Sequence, residues 1–353
     1  MLNQRTLREL AGGGVGVTHN VGLAELTTLR LGGPAATVLR CTSTDAVVSA
    51  VRACDSAGEA VLVLGGGSNL VVADAGVAAT VIHVATTGVE VAGDGVLAQA
   101  GADWDQLVET TVRAGLGGLE CLSGIPGASG ATPVQNVGAY GVEVADVLDE
   151  VQLLDRASGE VRWVAPAQLR LGYRTSVLKH SAAAVVLAVR MRLDPDGLSR
   201  PVTYRELCGD LGVDAGARLP SAQVRSAVLG LRARKGMVLD AADHDTWSAG
   251  SFFTNPVLAH GAIPATYRGP RYPGDGGTKL SAGWLIEHAG FSRGYPGPGA
   301  PVRLSTKHTL ALTNRGDAST ADLLALARDV RDGVVREFGI RLQPEPVLVG
   351  CAV

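Results

Sequence analysis

The spacing of apolar residues predicts alternating strands and helices in the first third of the chain. An apolar run, Ala35–Leu39, precedes a helix expected from about Asp45 to Ala57 behind a cap formed by Thr44 and Asp45. The apolar positions of this helix recur at helical spacing: Ala46, Val47, Ala50, Val51 and Cys54. The next strand, Val61–Leu64, runs directly into three consecutive glycines. A strand that ends in this way is typical of a binding loop.

The rest of the chain continues as a mixture of strands and helices, which predicts an α+β protein. Further strands are expected at Thr80–His83, Val151–Leu154, Val161–Val164 and Val185–Leu193. Further helices are expected between a cap at Asp103 and a stop at Gly115, and at Ser221–Ala233, Leu280–Ala289 and Thr320–Phe338, the last ending before Gly339. The turn-forming residues at 194–197 suggest two domains, 1–198 and 199–353, the first with two lobes that meet near residue 90.

Composition excludes several classes of function. Hydrophobic residues make up 46% of the 353 residues, enough for a sizeable core, and the formal net charge of -3 gives no general attraction to nucleic acid or to an anionic membrane surface. The five cysteines are scattered without a C-x-x-C pair, so we expect neither a disulfide framework nor a zinc site. No signal peptide or membrane span is expected, which favours the cytoplasm.

Two glycine-rich blocks are candidates for holding a phosphate group. Gly65-Gly66-Gly67-Ser68-Asn69 follows a strand, and residues 123–141 combine glycine, proline, small side chains and amides in one unbroken stretch. A diphosphate needs several N–H donors, and a backbone can approach it closely only where side chains are absent. A tight turn without a ligand is the alternative for the first block alone. The spacing is not the G-x-G-x-x-G of a Rossmann dinucleotide site.

The chain resembles, almost from end to end, the family of UDP-N-acetylenolpyruvoylglucosamine reductases, known as MurB. The motifs that carry the resemblance are Ser123–Gly141, Gly172-Tyr173-Arg174-Thr175-Ser176, Pro201-Val202-Thr203-Tyr204, Ala249–Pro256, Ser281–Ile286 and Leu342-Gln343-Pro344-Glu345. The loop around Tyr140, together with Tyr204, is similar to the type I form of the family. One departure is the Ala128-Ser129 pair, where the family often has a bulkier residue.

The resemblance implies a fold, a cofactor and a reaction. The fold is a two-lobed FAD-binding domain of the PCMH or vanillyl-alcohol-oxidase kind, followed by a MurB-type C-terminal α+β substrate domain. FAD would be bound non-covalently and reduced by NADPH as co-substrate. The reduced flavin would then reduce the enolpyruvyl group of UDP-N-acetylglucosamine-enolpyruvate to give UDP-N-acetylmuramate. No metal and no obligate protein partner are implied.

The resemblance also assigns roles to individual residues. Three would be catalytic: Arg174 and Glu345 would stabilise the enolate, and Ser251 would donate the proton. The substrate would be contacted by these three and by Tyr140, Tyr204, Lys235 and Asn255. The cofactor would be contacted by Val63, Gly65, Gly66, Gly67, Ser68, Asn69, Ser123, Gly124, Ile125, Pro126, Gly127, Gly130, Ala131, Val134, Val137 and Gly138.

Several alternatives stay open at this point. Arg234 could take the role of Lys235 at the diphosphate, and the protonation state of Glu345 is not determined by the sequence. A flavin oxidase of the same fold is a rival activity, although neither glycine block contains a histidine that could tether FAD, and Cys121 is the only thiol near them. A nucleotide-sugar binding protein without catalysis is a second rival.

Three other groupings are weaker candidates for chemistry. Asp243-His244-Asp245 could resemble a metal site, but adjacent residues in a loop are more often solvated. His288 on the apolar face of a predicted helix is more often packed than a ligand. A hydrolase triad of Ser251 and His308 with an acid lacks a G-x-S-x-G elbow.

Overall fold

A computed structural model of the chain describes residues 2–259, 261–274 and 276–353. The α-helices are α1 (Gln4–Gly12), α2 (Thr44–Ser56), α3 (Trp104–Arg113), α4 (Pro166–Leu169), α5 (Arg205–Leu211), α6 (Ser221–Arg234), α7 (Ala282–His288) and α8 (Thr320–Phe338). Short 3-10 turns lie at Leu23–Leu26, Glu120–Leu122, Ser129–Ala131, Val144–Asp146 and His244–Thr246.

Short strands fill most of the remaining regular structure. They are β1 (Val15–Gly22), β2 (Pro34–Cys41), β3 (Val61–Leu64), β4 (Leu70–Val72), β5 (Thr80–Val84), β6 (Val89–Ala92), β7 (Gly95–Gln99), β8 (Gly138–Ala139), β9 (Val142–Glu143), β10 (Leu148–Asp155), β11 (Val161–Val164), β12 (Ala184–Arg192), β13 (Val257–Leu258), β14 (Arg271–Gly274), β15 (Gly277–Leu280), β16 (Val302–Leu304), β17 (Leu312–Asn314) and β18 (Val347–Val349). The mixture is α+β, as predicted.

The chain divides into two compact units. The first unit contains the chain up to Val21 together with Ala35–Gly66 and Ala78–Ala233. The second unit contains Gly22–Pro34, Gly67–Val77 and Arg234–Val353. Residues 199–233 therefore pack with the first unit, and two early segments pack with the second. The predicted domains, 1–198 for FAD and 199–353 for substrate, describe binding roles and remain a prediction.

The first unit is built on two β-sheets. In the sheet of order β1-β2-β5-β3, strands β2 and β3 each pair in parallel with β5. The sheet of order β11-β10-β12-β7-β6 is antiparallel throughout. One apolar cluster of this unit includes Trp104, Leu122 and Val151, and another includes Val47 and Ile82. Strand β3, at the edge of this sheet, leads directly into the first glycine loop.

Side-chain caps set where the helices of the first unit begin. The Asp103 carboxylate accepts the Gln106 N–H at 2.9 Å, which confirms the predicted start of α3. The predicted cap of α2 at Thr44 and Asp45 is wrong by one residue. Ser43 is the extended residue before the helix, and its Oγ accepts the N–H of Ala46 at 3.2 Å.

The second unit packs its strands against α8. Its sheets are the antiparallel groups β13-β15-β14 and β16-β17, and the parallel pair β18-β4. Helix α8 occupies the predicted range and ends at Gly339, which adopts the left-handed φ of 68°. Its buried stripe, which includes Leu323, Ala327 and Val330, lies in one core with Phe252.

Some elements differ from those predicted. Helix α7 begins at Ala282 rather than Leu280, because Leu280 ends β15 and the Ser281 side chain caps the helix by accepting the Trp284 N–H at 3.2 Å. Helix α1 and strand β1 were not predicted; Leu10 of α1 is buried and Leu7 packs against the same apolar cluster, so the apolar stripe of this helix is short. Within the described ranges, none of the helices has the length and apolar character needed to cross a membrane.

Candidate active site

Gly65 and Gly66 of the first predicted cofactor loop contact the second loop within the first unit. A Cβ atom on Gly66 would lie 2.7 Å from the Gly127 Cα, and one on Gly65 would lie 3.0 Å from the Ala128 Cβ. Only glycine at position 66 allows the two backbones to come this close. The loops are therefore adjacent, and close packing, as well as ligand binding, explains why glycine occupies these positions.

Some polar groups of these loops are already used inside the protein. The Ser123 hydroxyl donates to a backbone carbonyl at 2.7 Å, and the Gly130 N–H donates to another at 2.8 Å. The Gly124 N–H donates to the Asp105 Oδ1 at 2.6 Å. These residues shape the second loop through their internal bonds, and these particular groups are not available to a ligand.

Other N–H groups of the loops are available to a ligand. Among residues 2–259, 261–274 and 276–353, the backbone N–H groups of Gly65, Gly66 and Gly127 have no hydrogen-bond acceptor. Val63, just before the first loop, is an exposed apolar residue on β3. Closely spaced N–H donors without side chains are what a diphosphate requires. The two loops therefore fit a dinucleotide cofactor that is held by backbone groups.

Asp105 fixes the second loop to helix α6. Its two carboxylate oxygens accept hydrogen bonds from Arg225 Nη1 at 2.6 Å and Nη2 at 2.9 Å, in addition to the bond from Gly124. Burial alone would raise the pKa of Asp105, but the bonds from Arg225 and Gly124 and the charges of Arg225 and Arg232 outweigh it and lower the pKa below its ordinary value. Asp105 is therefore ionised at neutral pH and couples the loop to the helix.

Replacing Asp105 by asparagine should destabilise the protein in a pH-dependent way. The change keeps an acceptor for Gly124 but loses the ion pair, at a cost of about 1–2 kcal/mol in the free energy of unfolding at pH 7. The pKa of Asp105 is lower in the folded protein than in the unfolded chain. The stabilisation by the ion pair is therefore fully present above the unfolded-state pKa of about 4, and it is lost as the pH falls through the folded-state pKa. Urea unfolding of both proteins between pH 3 and 7 measures the difference.

A matched control for this prediction is Asp103→Asn. Asparagine caps a helix about as well as aspartate, so the free energy of unfolding should change by less than about 0.5 kcal/mol. A difference between wild type and Asp105→Asn that stays constant down to pH 3 would contradict the role given to the ion pair.

Arg174 lies in a tight turn whose backbone and side chain are both held. The turn is closed by reciprocal bonds between Gly172 and Thr175, with N–O distances of 3.1 and 3.2 Å. Arg174 Nη2 donates to the Gly138 carbonyl at 2.6 Å, and the Lys179 ammonium donates to the Arg174 carbonyl at 3.0 Å. The predicted carboxylate-binding arginine is therefore fixed next to the end of the second glycine-rich block.

Two of the predicted substrate contacts lie together in the first unit. The rings of Tyr140 and Tyr204 meet edge to face with centroids 5.3 Å apart, and Tyr204 is 44% exposed. Lys235 follows the last residue of α6 and is half-buried, whereas Arg234 is exposed. Tyr140 and Tyr204 thus form one aromatic pair in the first unit.

Ser251 and Glu345 lie on neighbouring segments of the second unit. The Glu345 N–H donates to the Phe252 carbonyl at 2.9 Å, and the Thr254 N–H donates to the Gln343 carbonyl at 3.0 Å. Phe252 is buried, so the segment that carries Ser251 is anchored in the core. Two of the three predicted catalytic residues, which are far apart in the sequence, are therefore brought together by an antiparallel bridge.

Asn255 has a structural contact at the start of α7. Its Oδ1 accepts the Ala282 N–H at 2.9 Å. The oxygen of the carboxamide is thus occupied by a helix terminus.

Comparison with known proteins decides the family. The FAD binding domain family matches residues 35–165, and the family of the C-terminal domain of UDP-N-acetylenolpyruvoylglucosamine reductase matches residues 242–349. A UDP-N-acetylenolpyruvoylglucosamine reductase of Nocardia farcinica (strain IFM 10152) is 64% identical, with 97% of this chain and 92% of the relative covered. The chain belongs to the UDP-N-acetylenolpyruvoylglucosamine reductase family.

Further relatives agree with membership of the MurB family. The corresponding reductase of Mycolicibacterium gilvum (strain PYR-GCK) is 60% identical, with 97% of this chain and 98% of the relative covered. The crystal structure of MurB from Thermus caldophilus superposes with a TM-score of 0.66 at 28% identity and covers 95% of this chain and 99% of its own. The FAD binding domain match contains both glycine loops, and the MurB C-terminal match contains Ser251 and Glu345.

The thiol nearest the loops is unsuited to a covalent bond with flavin. Cys121 is buried, and burial, together with the charge of Glu120, raises its pKa to about 12. A thiol with so high a pKa is neutral and unreactive at physiological pH. This supports the non-covalent FAD that was predicted for a MurB-type protein.

Sequence reasoning missed three residues that support the site: Asp105, Asn136 and Lys179. Asp105 lies in the first turn of a helix, where acidic residues are common because they interact favourably with the helix dipole, so its presence did not indicate a further role. Asn136 bonds the Gly172 carbonyl only because the turn at Arg174 packs against the second loop, and Lys179 bonds the Arg174 carbonyl only because the chain folds back after that turn. A single sequence contains no signal for such contacts.

The other groupings that were considered for chemistry have structural partners. Asp243 pairs with Lys307 at 2.5 Å, and Asp245 pairs with Arg315 at 2.9 Å. His288 stacks on Trp284 with ring centroids 3.8 Å apart. Asp243 and Asp245 are thus ion-paired within the second unit, whereas His288 is exposed, so its predicted place on the apolar face of the helix is wrong.

Proposed function

We propose that the chain is an NADPH-dependent flavoenzyme that reduces UDP-N-acetylglucosamine-enolpyruvate to UDP-N-acetylmuramate. This is a UDP-N-acetylmuramate dehydrogenase activity with NADP⁺ as acceptor. The observation that carries the proposal is the 64% identity to a named UDP-N-acetylenolpyruvoylglucosamine reductase over 97% of the chain. The activity would belong to peptidoglycan synthesis in the cytoplasm, and so to cell wall biogenesis, cell shape and cell division.

Arg174 would bind the carboxylate of the enolpyruvyl group. Once bound and reduced by NADPH, FAD would supply a hydride from N5 to the terminal methylene carbon of the substrate. Negative charge then develops on the neighbouring carbon and its carboxylate. A planar guanidinium can meet a carboxylate with two parallel hydrogen bonds, and a fixed charge is most effective where charge develops during the reaction. The bond from Arg174 to Gly138 supports this role because it fixes the guanidinium in advance.

Ser251 and Glu345 would complete the reduction. Ser251 donates the proton to the carbon beside the carboxylate. A serine is a weak acid, so it can act only on a strongly basic carbon and with a neighbour that returns its proton. Glu345 stabilises the enolate by donating a hydrogen bond, which requires a protonated or proton-sharing carboxyl group. Their neighbouring segments in the second unit support a shared task.

The remaining proposed contacts concern the nucleotide sugar. Tyr140 and Asn255 would contact the substrate, and Tyr204 and Lys235 would contact the diphosphate, where a lysine acts as a point charge. Lys235 is preferred to Arg234 because the resemblance assigns it and because it is half-buried. Residues 1–198 would bind FAD, and residues 199–353 would bind the substrate.

A steady-state assay tests the proposed function and its electron donor. Purified protein should be yellow and should oxidise NADPH rapidly only when UDP-N-acetylglucosamine-enolpyruvate is present. NADH in place of NADPH, and oxygen in place of the substrate, are the controls. NADPH consumption that is as fast with oxygen alone would instead indicate a flavin oxidase. A protein that takes up no FAD would contradict the proposal entirely.

A further inference from the structure

Three residues of the second glycine-rich block and of the Gly172–Thr175 turn adopt the left-handed backbone conformation although they are not glycine. They are Asn136, Tyr140 and Arg174, with φ values of 46°, 51° and 55°. Asparagine tolerates this region, but for tyrosine and arginine it is unfavourable and persists only where surrounding contacts impose it.

The carboxamide of Asn136 makes three hydrogen bonds in a buried position. Its Nδ2 donates to Glu143 Oε2 at 2.7 Å and to the Gly172 carbonyl at 3.2 Å, and its Oδ1 accepts the Ala145 N–H at 3.0 Å. Only 1% of Asn136 is exposed. Each of these bonds is well matched to the donors and the acceptor of an amide, so no other side chain of this size replaces it.

The bond to Gly172 connects Asn136 to the backbone of the Arg174 turn. The same Gly172 carbonyl accepts the Thr175 N–H that closes the turn. The guanidinium of Arg174 is held on the Gly138 carbonyl, two residues after Asn136. The second loop therefore holds the turn in two ways: Asn136 bonds the turn backbone at Gly172, and the Gly138 carbonyl bonds the Arg174 side chain.

The bond to Glu143 controls the charge next to Arg174. A Cβ atom on Gly138 would lie 2.8 Å from the Glu143 Cγ and 3.1 Å from the Arg174 Nη1, so these two side chains flank the same glycine. Among the described residues, Glu143 forms no ion pair. A carboxylate that turned toward the guanidinium would compete with the carboxylate of a substrate. The side-chain N–H of Asn136 holds the Glu143 carboxylate through its bond to Oε2.

We infer that Asn136 is a positioning residue for the reduction. It fixes the turn that presents Arg174 and keeps the Glu143 carboxylate away from the guanidinium, so that the charge of Arg174 serves the substrate carboxylate. The inference rests on the proposed role of Arg174 and adds a residue that the family resemblance did not assign.

The test compares Asn136→Gly with Ser176→Ala in the FAD-loaded protein. Glycine accepts the left-handed backbone and removes the carboxamide. Ser176→Ala is the control, because the Ser176 hydroxyl bonds the Val134 carbonyl at 2.6 Å and joins the same two segments without touching the Gly172 carbonyl. Asn136→Asp is a second variant that keeps the shape and the acceptor but loses the N–H donors.

Two measurements separate positioning from general loosening of the loop. Reoxidation of the reduced flavin by the enolpyruvyl substrate should slow about 100-fold in Asn136→Gly, the scale of a small misplacement, while Ser176→Ala stays within about threefold. In Asn136→Gly, the affinity for UDP-N-acetylmuramate, measured from the change in flavin absorbance, should weaken about tenfold. The affinity for UDP-N-acetylglucosamine, which lacks the carboxylate, should be unchanged. Equal weakening of both ligands, or equal behaviour of the two variants, would overturn the inference.

A double-mutant cycle with Arg174→Met completes the test. If Asn136 acts through Arg174, adding Asn136→Gly to Arg174→Met should slow reoxidation by less than about threefold. Independent losses that multiply would overturn the inference while leaving the proposed function intact. Wild-type reoxidation in Arg174→Met alone would overturn the role of Arg174 and this inference with it.

Discussion

Ser251→Ala is expected to retain normal reduction of FAD by NADPH and to slow reoxidation by UDP-N-acetylglucosamine-enolpyruvate by about 10²–10⁴-fold, the usual contribution of a positioned proton donor. The substitution removes the hydroxyl, while the segment stays anchored because the Phe252 N–H bonds the Leu310 carbonyl at 2.7 Å. Rapid mixing under anaerobic conditions measures the two half-reactions separately.

The matched control for Ser251 is Thr254→Val. This change removes a hydroxyl from the same segment, where the Thr254 backbone remains bonded to Gln343. Both half-reactions should stay within about threefold of wild type, as for most substitutions outside a site. Equal losses in both half-reactions of Ser251→Ala would show that the serine has a binding or structural role and not that of proton donor.

Arg174→Met should lower the rate of the same half-reaction by about 10²–10³-fold, the cost of removing a preorganised group that stabilises developing charge. Arg174→Lys should restore little of this rate, because an ammonium lacks the planar fork of the guanidinium and would have to hold both the Gly138 carbonyl and a carboxylate. Binding of UDP-N-acetylmuramate should weaken in both variants. Stopped-flow reoxidation and ligand titration measure these effects.

Arg170→Met is the control for Arg174. Arg170 is an exposed arginine of the same segment and also has a left-handed backbone, with φ of 48°. Its replacement should change neither half-reaction. If Arg170→Met and Arg174→Met had the same effect, the charge of the segment rather than the position of Arg174 would be responsible.

Elements with strong local signals were predicted well from the sequence. Helix α8 has the predicted range, because an apolar stripe lies between a Ser319 cap and a glycine that can adopt a positive φ. Strand β3 also has the predicted range, since a short apolar run ends at Gly65. Helix α1 was not predicted, because its apolar stripe is short and consists of Leu7 and Leu10.

The site was harder to predict from local sequence patterns than the fold. The glycine blocks indicated a phosphate-bearing ligand from composition alone, and the structure adds that they contact each other. The pairing of Ser251 with Glu345 depends on a bridge between distant segments, so only the resemblance suggested both residues. Asn136 was missed because its three bonds are made by tertiary contacts, which leave no periodic pattern in the chain.

The central claim is that this chain uses bound FAD to reduce an enolpyruvyl ether. The most direct measurement is to reduce the FAD-loaded protein with one equivalent of NADPH without oxygen, add UDP-N-acetylglucosamine-enolpyruvate, and determine the flavin spectrum and the mass of the product. The account predicts that the yellow absorbance of oxidised flavin returns and that the substrate gains two hydrogen atoms to become UDP-N-acetylmuramate. A flavin that stays reduced beside unchanged substrate, and is reoxidised only when oxygen is admitted, would contradict it.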